Sequence, residues 1–138
     1  MKSSRPVRVN ISPANLDRLA DLVLRDLRRS GQKVSIHLVP PTEMRRLAAR
    51  FFSDPAQHLN VLSFPAPQGA FALPRVGSQI FLGEIYLNRA LAKGALGPAE
   101  ILRLLIHGIL HLVGYHHKGT RDTIRMEALE TKLIAQLK

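Results

Sequence analysis

The sequence predicts an α+β domain with one sheet, of about four strands and about five helices. Three observations predict it. Short runs alternate apolar and polar residues, the period of strands. Between them apolar residues recur three and four apart, the period of helices. The stretch Ile101 to Val113 is apolar almost all round, which marks a central buried helix. With 138 residues, 46% of them apolar, the chain has room for one core and no second one.

Val7 to Ser12 alternates and reads as a short half-buried strand. Ser12-Pro13 then opens a helix, Ser12 as N-cap and Pro13 at the first position. Leu16, Leu19, Ala20, Val23, Leu24 and Leu27 give its apolar face, Arg18, Arg25, Arg28 and Arg29 its outer one, and Gly31 ends it. Val34 to Val39 alternates again, a second strand stopped by Pro40-Pro41. Thr42 can cap a helix running to about Phe52, with Met44, Leu47 and Ala48 inward. Ser53 to Asn60 is a loop. Val61 to Phe64 is a short strand closed by Pro65, and Ala66 to Gly77 is a Pro- and Gly-rich surface loop. Gln79 to Leu87 is the strongest strand, with Gly83 a bulge or close-approach point. Asn88 caps a short helix to Ala95, and Gly97-Pro98 starts the long helix to Val113. A last helix opens at Thr120 or Asp122, with Ile124, Leu129, Leu133, Ile134 and Leu137 as its apolar face.

Charge narrows the partners. Twenty Lys and Arg against ten Asp and Glu give a formal charge of +10, which favours polyanions, with nucleic acid ahead of an anionic membrane surface. Two arginine clusters stand out: Arg25, Arg28 and Arg29, then Arg45, Arg46 and Arg50. No apolar run reaches the roughly 18 residues of a membrane span. Met1 to Val9 has no apolar region of the kind a secretory signal carries, so a cytoplasmic location is expected. With no cysteine, disulfides and thiolate metal sites are excluded, and histidine and carboxylate remain as ligands. Seven aromatics and no Trp argue against a platform that stacks single-stranded bases.

The chemistry is concentrated in His107-Gly108-Ile109-Leu110-His111-Leu112-Val113-Gly114-Tyr115-His116-His117. His107 and His111 are four apart, on one face of a helix and close enough to grip one metal ion. Gly114 breaks the helix and lets the chain bring a third imidazole back, from His117 or its neighbour His116. Three histidines with an open fourth position are the pattern of a catalytic zinc site, where bound water ionises near neutral pH. Nickel, cobalt or iron would also fit such donors. The bland alternative is two core histidines that happen to share a face. A zincin protease carries Glu directly after its first histidine; here that residue is Gly108, which disfavours that class. His37, on a strand, reads as structural, and His58 as a solvated loop residue that can face a cleft.

This segment resembles the H-G-x-L-H-L-x-G-Y-D-H signature of the YbeY family of rRNA-maturation endoribonucleases. Asn60-Val61-Leu62-Ser63-Phe64-Pro65 is similar to the family's N-V-L-S-F-P strand, Leu82-Gly83-Glu84-Ile85 to its L-G-D-I strand, and Met126 with Glu130 to the M-x3-E of its final helix. The resemblance implies that residues 1–138 are one metal-dependent hydrolase domain, with zinc in a cleft between the sheet and the signature helix. It implies one zinc ion per chain, held by His107, His111 and His117. It implies a single-strand-specific endoribonuclease in 16S rRNA 3′-end maturation and ribosome quality control, with rRNA and ribosomal particles as partners.

Three positions depart from the family pattern. His116 stands where the family has Asp, and Glu84 where it has a shorter Asp; both are candidates for supporting the site or lining its cleft. The family arginine before the N-V-L-S-F-P strand aligns with Phe52 or Ser53, and Arg50 is the candidate to supply that guanidinium. Arg45 and Arg46 are candidates for holding the RNA backbone. A ribosome-associated zinc-binding factor with weak or no nuclease activity is the alternative reading.

Overall fold

A computed structural model describes residues 11–66, 75–76, 79–115 and 119–137. Among these residues the chain forms four α-helices, two 3-10 turns and four strands. Helix α1 (Pro13–Asp26) starts as expected, with Ser12 Oγ accepting the Asn15 N–H at 3.3 Å. It stops five residues before Gly31, because Arg28 adopts a positive φ of 62° and turns the chain out of the helix. Of the strand expected at Val7 to Ser12, only Ile11 and Ser12 are described, and neither is in a strand; the rest lies outside the described residues.

Strand β1 (Gln32–Val39) leads to α2 (Pro41–Phe51). Thr42 does not cap α2: Pro40 occupies the N-cap and Pro41 the first turn, where a missing N–H costs nothing. A 3-10 turn at Pro55–His58 occupies the expected loop and precedes β2 (Val61–Pro65). The two-residue β3 (Arg75–Val76) falls inside the segment expected to be loop. Strand β4 (Gln79–Asn88) is followed by a second 3-10 turn, Arg89–Ala92, rather than an α-helix. Asn88 caps that turn as expected, its Oδ1 accepting the Ala90 N–H at 3.0 Å. Helices α3 (Gly97–Leu112) and α4 (Thr120–Leu137) complete the domain. No described helix is long and apolar enough to cross a membrane.

Strand β4 is the hub of the sheet, parallel to β1 on one side and antiparallel to β2 on the other, with β3 paired to its first residues. The register slips once, between Lys33 and Val34, because Leu82 has no partner on β1. The bulge sits beside Gly83, whose φ is +150°. A Cβ there would lie 2.3 Å from the Phe64 carbonyl oxygen, so the two strands approach closely only because residue 83 is glycine.

Alternation gives the sheet two unlike faces. Val34, Ile36, Leu38, Ile85 and Leu87 point toward α1 and α3 and form the main core with Leu16, Leu24, Ile101, Leu105 and Ile109, to which α4, packed on both helices, adds Met126. Burying each such aliphatic side chain contributes about 1.5–3 kcal/mol. Ser35, His37, Leu62, Phe64, Glu84 and Tyr86 share the other face, as their register shows. Helix α2 packs there through Met44 and Ala48, both fully buried. Helix α3 is central as expected, its residues Ile101, Leu102, Leu105, Ile106, Ile109 and Leu110 essentially excluded from water.

Candidate metal centre and cleft

Helix α3 approaches the sheet closely at Gly108. A Cβ there would meet Ser63 Oγ at 3.0 Å and the Ile85 methyls at 3.1 and 3.2 Å. The Ser63 hydroxyl also donates to the Gly108 carbonyl at 3.4 Å. A zincin-type Glu at position 108 would therefore drive into the sheet, which gives a physical reason for the residue found there. The same packing sets the rotation of α3, so that His107 and His111 come to the edge of the sheet beside β2.

There they meet a cleft of about 580 Å³. Val61, Leu62, Ser63 and Pro65 of β2 form one wall, Phe52, Gln57 and His58 a second, and His107, His111 and Leu112 of α3 the third. Asn88 ties down the second wall, its Nδ2 donating to the Leu59 carbonyl at 3.0 Å. His58 faces the cleft and stacks on Phe52, with ring centroids 3.8 Å apart and planes 18° apart.

His107 Nε2 and His111 Nε2 lie 3.0 Å apart, with the rings edge to face. Two nitrogens bound tetrahedrally to one zinc at ~2.0–2.1 Å would be separated by about 3.3–3.4 Å. The observed pair is within a few tenths of an ångström of that, so the donors fit a shared metal ion. The opposite nitrogen of His107 is committed elsewhere: Nδ1 is 2.6 Å from Glu130 Oε2 on α4. With Nδ1–H donating to that carboxylate, the lone pair of His107 is on Nε2, facing His111. Glu130 is 8% exposed, the only buried charged residue described, and it sits one turn from the buried Met126 and Leu133. A buried carboxylate behind a ligating imidazole fixes its tautomer and raises its basicity. The sequence resemblance marked Glu130 as a position, but its role becomes visible only when α4 is packed against α3.

The helix ends as Gly114 predicts. Tyr115 N–H bonds the Leu110 carbonyl at 2.9 Å and Gly114 N–H the His111 carbonyl at 3.1 Å, with Gly114 at φ +107°. This is a Schellman termination, and it redirects the chain one turn after His111. The expected third ligand His117, and His116 beside it, lie outside the described residues. Among the described residues no group of three candidate ligands is assembled.

The remaining candidates fall elsewhere. Glu84 is on the α2 face of the sheet, the side away from His107 and His111, because it neighbours Ile85, which contacts Gly108. Its carboxylate is 3.0 Å from His37 Nε2, and His37 stacks on Tyr86 with centroids 4.4 Å apart. Burial first, and then the Glu84 charge and its hydrogen bond, hold the Tyr86 hydroxyl above its ordinary pKa. Arg50 is not among the cleft-lining residues; its guanidinium lies 5.3 Å from the Phe51 ring centroid. Arg45 and Arg46 are exposed on α2, Arg46 paired with Glu43 at 3.2 Å.

The profile of the family described as Endoribonuclease YbeY matches residues 5–138. A protein of that description from Stutzerimonas stutzeri is 37% identical over 127 residues, 90% of this chain and 78% of its own. One from Laribacter hongkongensis is 32% identical over 128 residues, 91% of this chain and 76% of its own. One from Azorhizobium caulinodans is 34% identical over 110 residues, 78% of this chain and 68% of its own. The match spans the sheet, the cleft walls and the histidine-bearing helix together, and the chain belongs to the YbeY endoribonuclease family.

Proposed function

We propose that this chain is a zinc-dependent endoribonuclease that cuts single-stranded rRNA during 16S 3′-end maturation and ribosome quality control in the cytoplasm. The observation that carries the reading is the pair of Nε2 atoms 3.0 Å apart in the cleft wall, with Glu130 behind His107. The family relationship and the +10 charge support an RNA substrate.

His107, His111 and His117 would hold the metal. When bound, zinc supplies a Lewis acid for a phosphoryl oxygen and lowers the pKa of bound water. The chain's own residues supply the rest. Glu130 holds the proton on His107 Nδ1 and so keeps Nε2 available. Gly108 seats α3 on β2 and fixes the pair relative to the Ser63 wall. Phe52 and Leu112 exclude water from the flanks of the cleft, while His58, stacked on Phe52, offers a ring nitrogen near its mouth. Arg45 and Arg46 hold the phosphate backbone outside it.

One observation favours a second reading, a ribosome-associated zinc-binding factor with weak or no nuclease activity. Among the described residues that line the cleft there is no Lys or Arg to meet a phosphodiester. Phosphoryl chemistry relies heavily on such a charge. The deciding experiment is cleavage of a labelled rRNA 3′-end fragment by zinc-loaded protein, beside His111→Ala and an EDTA control. Cleavage lost in both controls is the expected result. No cleavage by protein holding one zinc would support the second reading, and one zinc per chain retained by His111→Ala would overturn the ligand assignment.

A further inference from the structure

The aromatic residues are few, but they are not dispersed. Phe52 stacks on His58 in the cleft wall, and Phe64 lies 6.3 Å from Phe52 and 5.0 Å from Phe51 between ring centroids. The run continues through Phe64 edge-on to Tyr86 at 5.7 Å. It therefore leads from the cleft, around the β2 edge, onto the α2 face. Composition alone argues against a stacking platform, but pairing β2 with β4 and docking the end of α2 bring these rings into contact.

Phe51 is the anomalous member. It remains 53% exposed although both Phe64 and the Arg50 guanidinium contact it. An exposed ring of this size, held by a neighbouring ring and covered by a guanidinium that a base can displace, has the composition of a single-strand binding step. The ring stacks a base, which every nucleotide offers, and the guanidinium meets the adjoining phosphate. Phe52, the next residue, faces the cleft, so neighbouring nucleotides of one strand can reach both. Arg45 and Arg46 on the same helix extend the positive charge.

We propose that Phe51 stacks a base of the single-stranded RNA that flanks the scissile segment, with Arg50 on its phosphate; this rests on the endoribonuclease reading. A duplex cannot use the step, because its bases are stacked on each other. Arg50 thus acts in holding the strand outside the cleft, rather than at the reacting phosphate.

The chain has no Trp, so the indole of F51W reports on that position alone. The probes are a labelled 2′-O-methyl oligoadenylate, a hairpin duplex of equal charge and an abasic ribose-phosphate oligomer, each followed by anisotropy with full-length protein. The expected result is quenching of the F51W indole by the oligoadenylate and by neither control. F51L, which keeps an apolar side chain without the ring, should bind oligoadenylate about tenfold more weakly than the parent and the abasic oligomer equally well. Oligoadenylate that binds without quenching, with F51L within twofold of the parent, would overturn the stacking assignment while leaving the RNA reading intact. If none of the probes binds the parent protein at low salt, the RNA reading fails and takes this inference with it.

Discussion

Glu130 offers the sharpest test of how the histidine pair is prepared for a metal. Its carboxylate is 2.6 Å from His107 Nδ1 and almost fully buried on α4. A hydrogen bond to a charged partner in such a place contributes about 1.5–3 kcal/mol. Loss of the group behind a ligating histidine lowers metal affinity by roughly 10–100-fold, equivalent to about 1.4–2.7 kcal/mol. Glu130→Gln keeps the shape and one acceptor oxygen but loses the charge, so about tenfold weaker zinc binding is expected. Glu130→Ala also opens space beside Met126 and Leu133, and the upper end, about a hundredfold, is expected. The assay is competition for zinc against a chromophoric chelator, with thermal unfolding in EDTA to separate loss of affinity from loss of fold. If both variants bind zinc within twofold of the parent while His111→Ala does not, Glu130 does not prepare the site and the 2.6 Å contact is merely structural.

Three further outcomes follow from the packing and charge. Gly108→Val forces branched carbons into Ser63 and Ile85, and overpacking of this kind costs about 1–3 kcal/mol; unchanged urea unfolding would mean that α3 can ride off the sheet freely. Reversing Arg45 and Arg46 to Glu should weaken RNA binding and flatten its dependence on salt by about one unit of log–log slope for each lost phosphate contact; an unaltered slope in a filter-binding titration would remove α2 from the interface. Tyr86 has its hydroxyl pKa raised in the folded state, so its contribution to stability is complete below the unfolded value near 10 and is lost as pH rises through the folded one. Tyr86→Phe should therefore flatten the alkaline limb of a stability–pH curve, and a parent and variant that decline in parallel would show that burial and the Glu84 contact together have no such effect.

The elements that were legible in the sequence are those whose signal is local. Helix α3 was visible because its apolar residues run almost all round, and its end because Gly114 is required at φ +107°. The Ser12 cap and the Asn88 cap are both short side chains acting on an N–H two or three residues ahead. The misreadings are non-local or involve competing local rules. Thr42 lost the cap to Pro40 because Pro41 already fits the first turn. Alternation shows that Glu84 and Ile85 oppose each other, but it cannot show which face receives the histidine-bearing helix. Glu130 lies 23 residues from His107, and no periodicity relates the two; only the docking of α4 on α3 does. The clustering of Phe51, Phe52, Phe64 and Tyr86 is likewise a property of strand register rather than of composition.

The position of β4 bears on how the chain assembles as it is made. Every strand pairing among the described residues involves β4, although β1 and β2 both precede it in the sequence. During synthesis β1 and β2 therefore emerge as solitary strands, unable to pair with each other in the native order. The sheet can close only after Asn88 has left the ribosome, and then by contacts distant in sequence, which are slow to form. Helix α3, which shares the apolar face with α1, emerges later still. The nascent chain is thus committed to an interval with two unpaired strands and an apolar face that α1 alone can cover, a state in which chaperone capture and misassociation compete with folding.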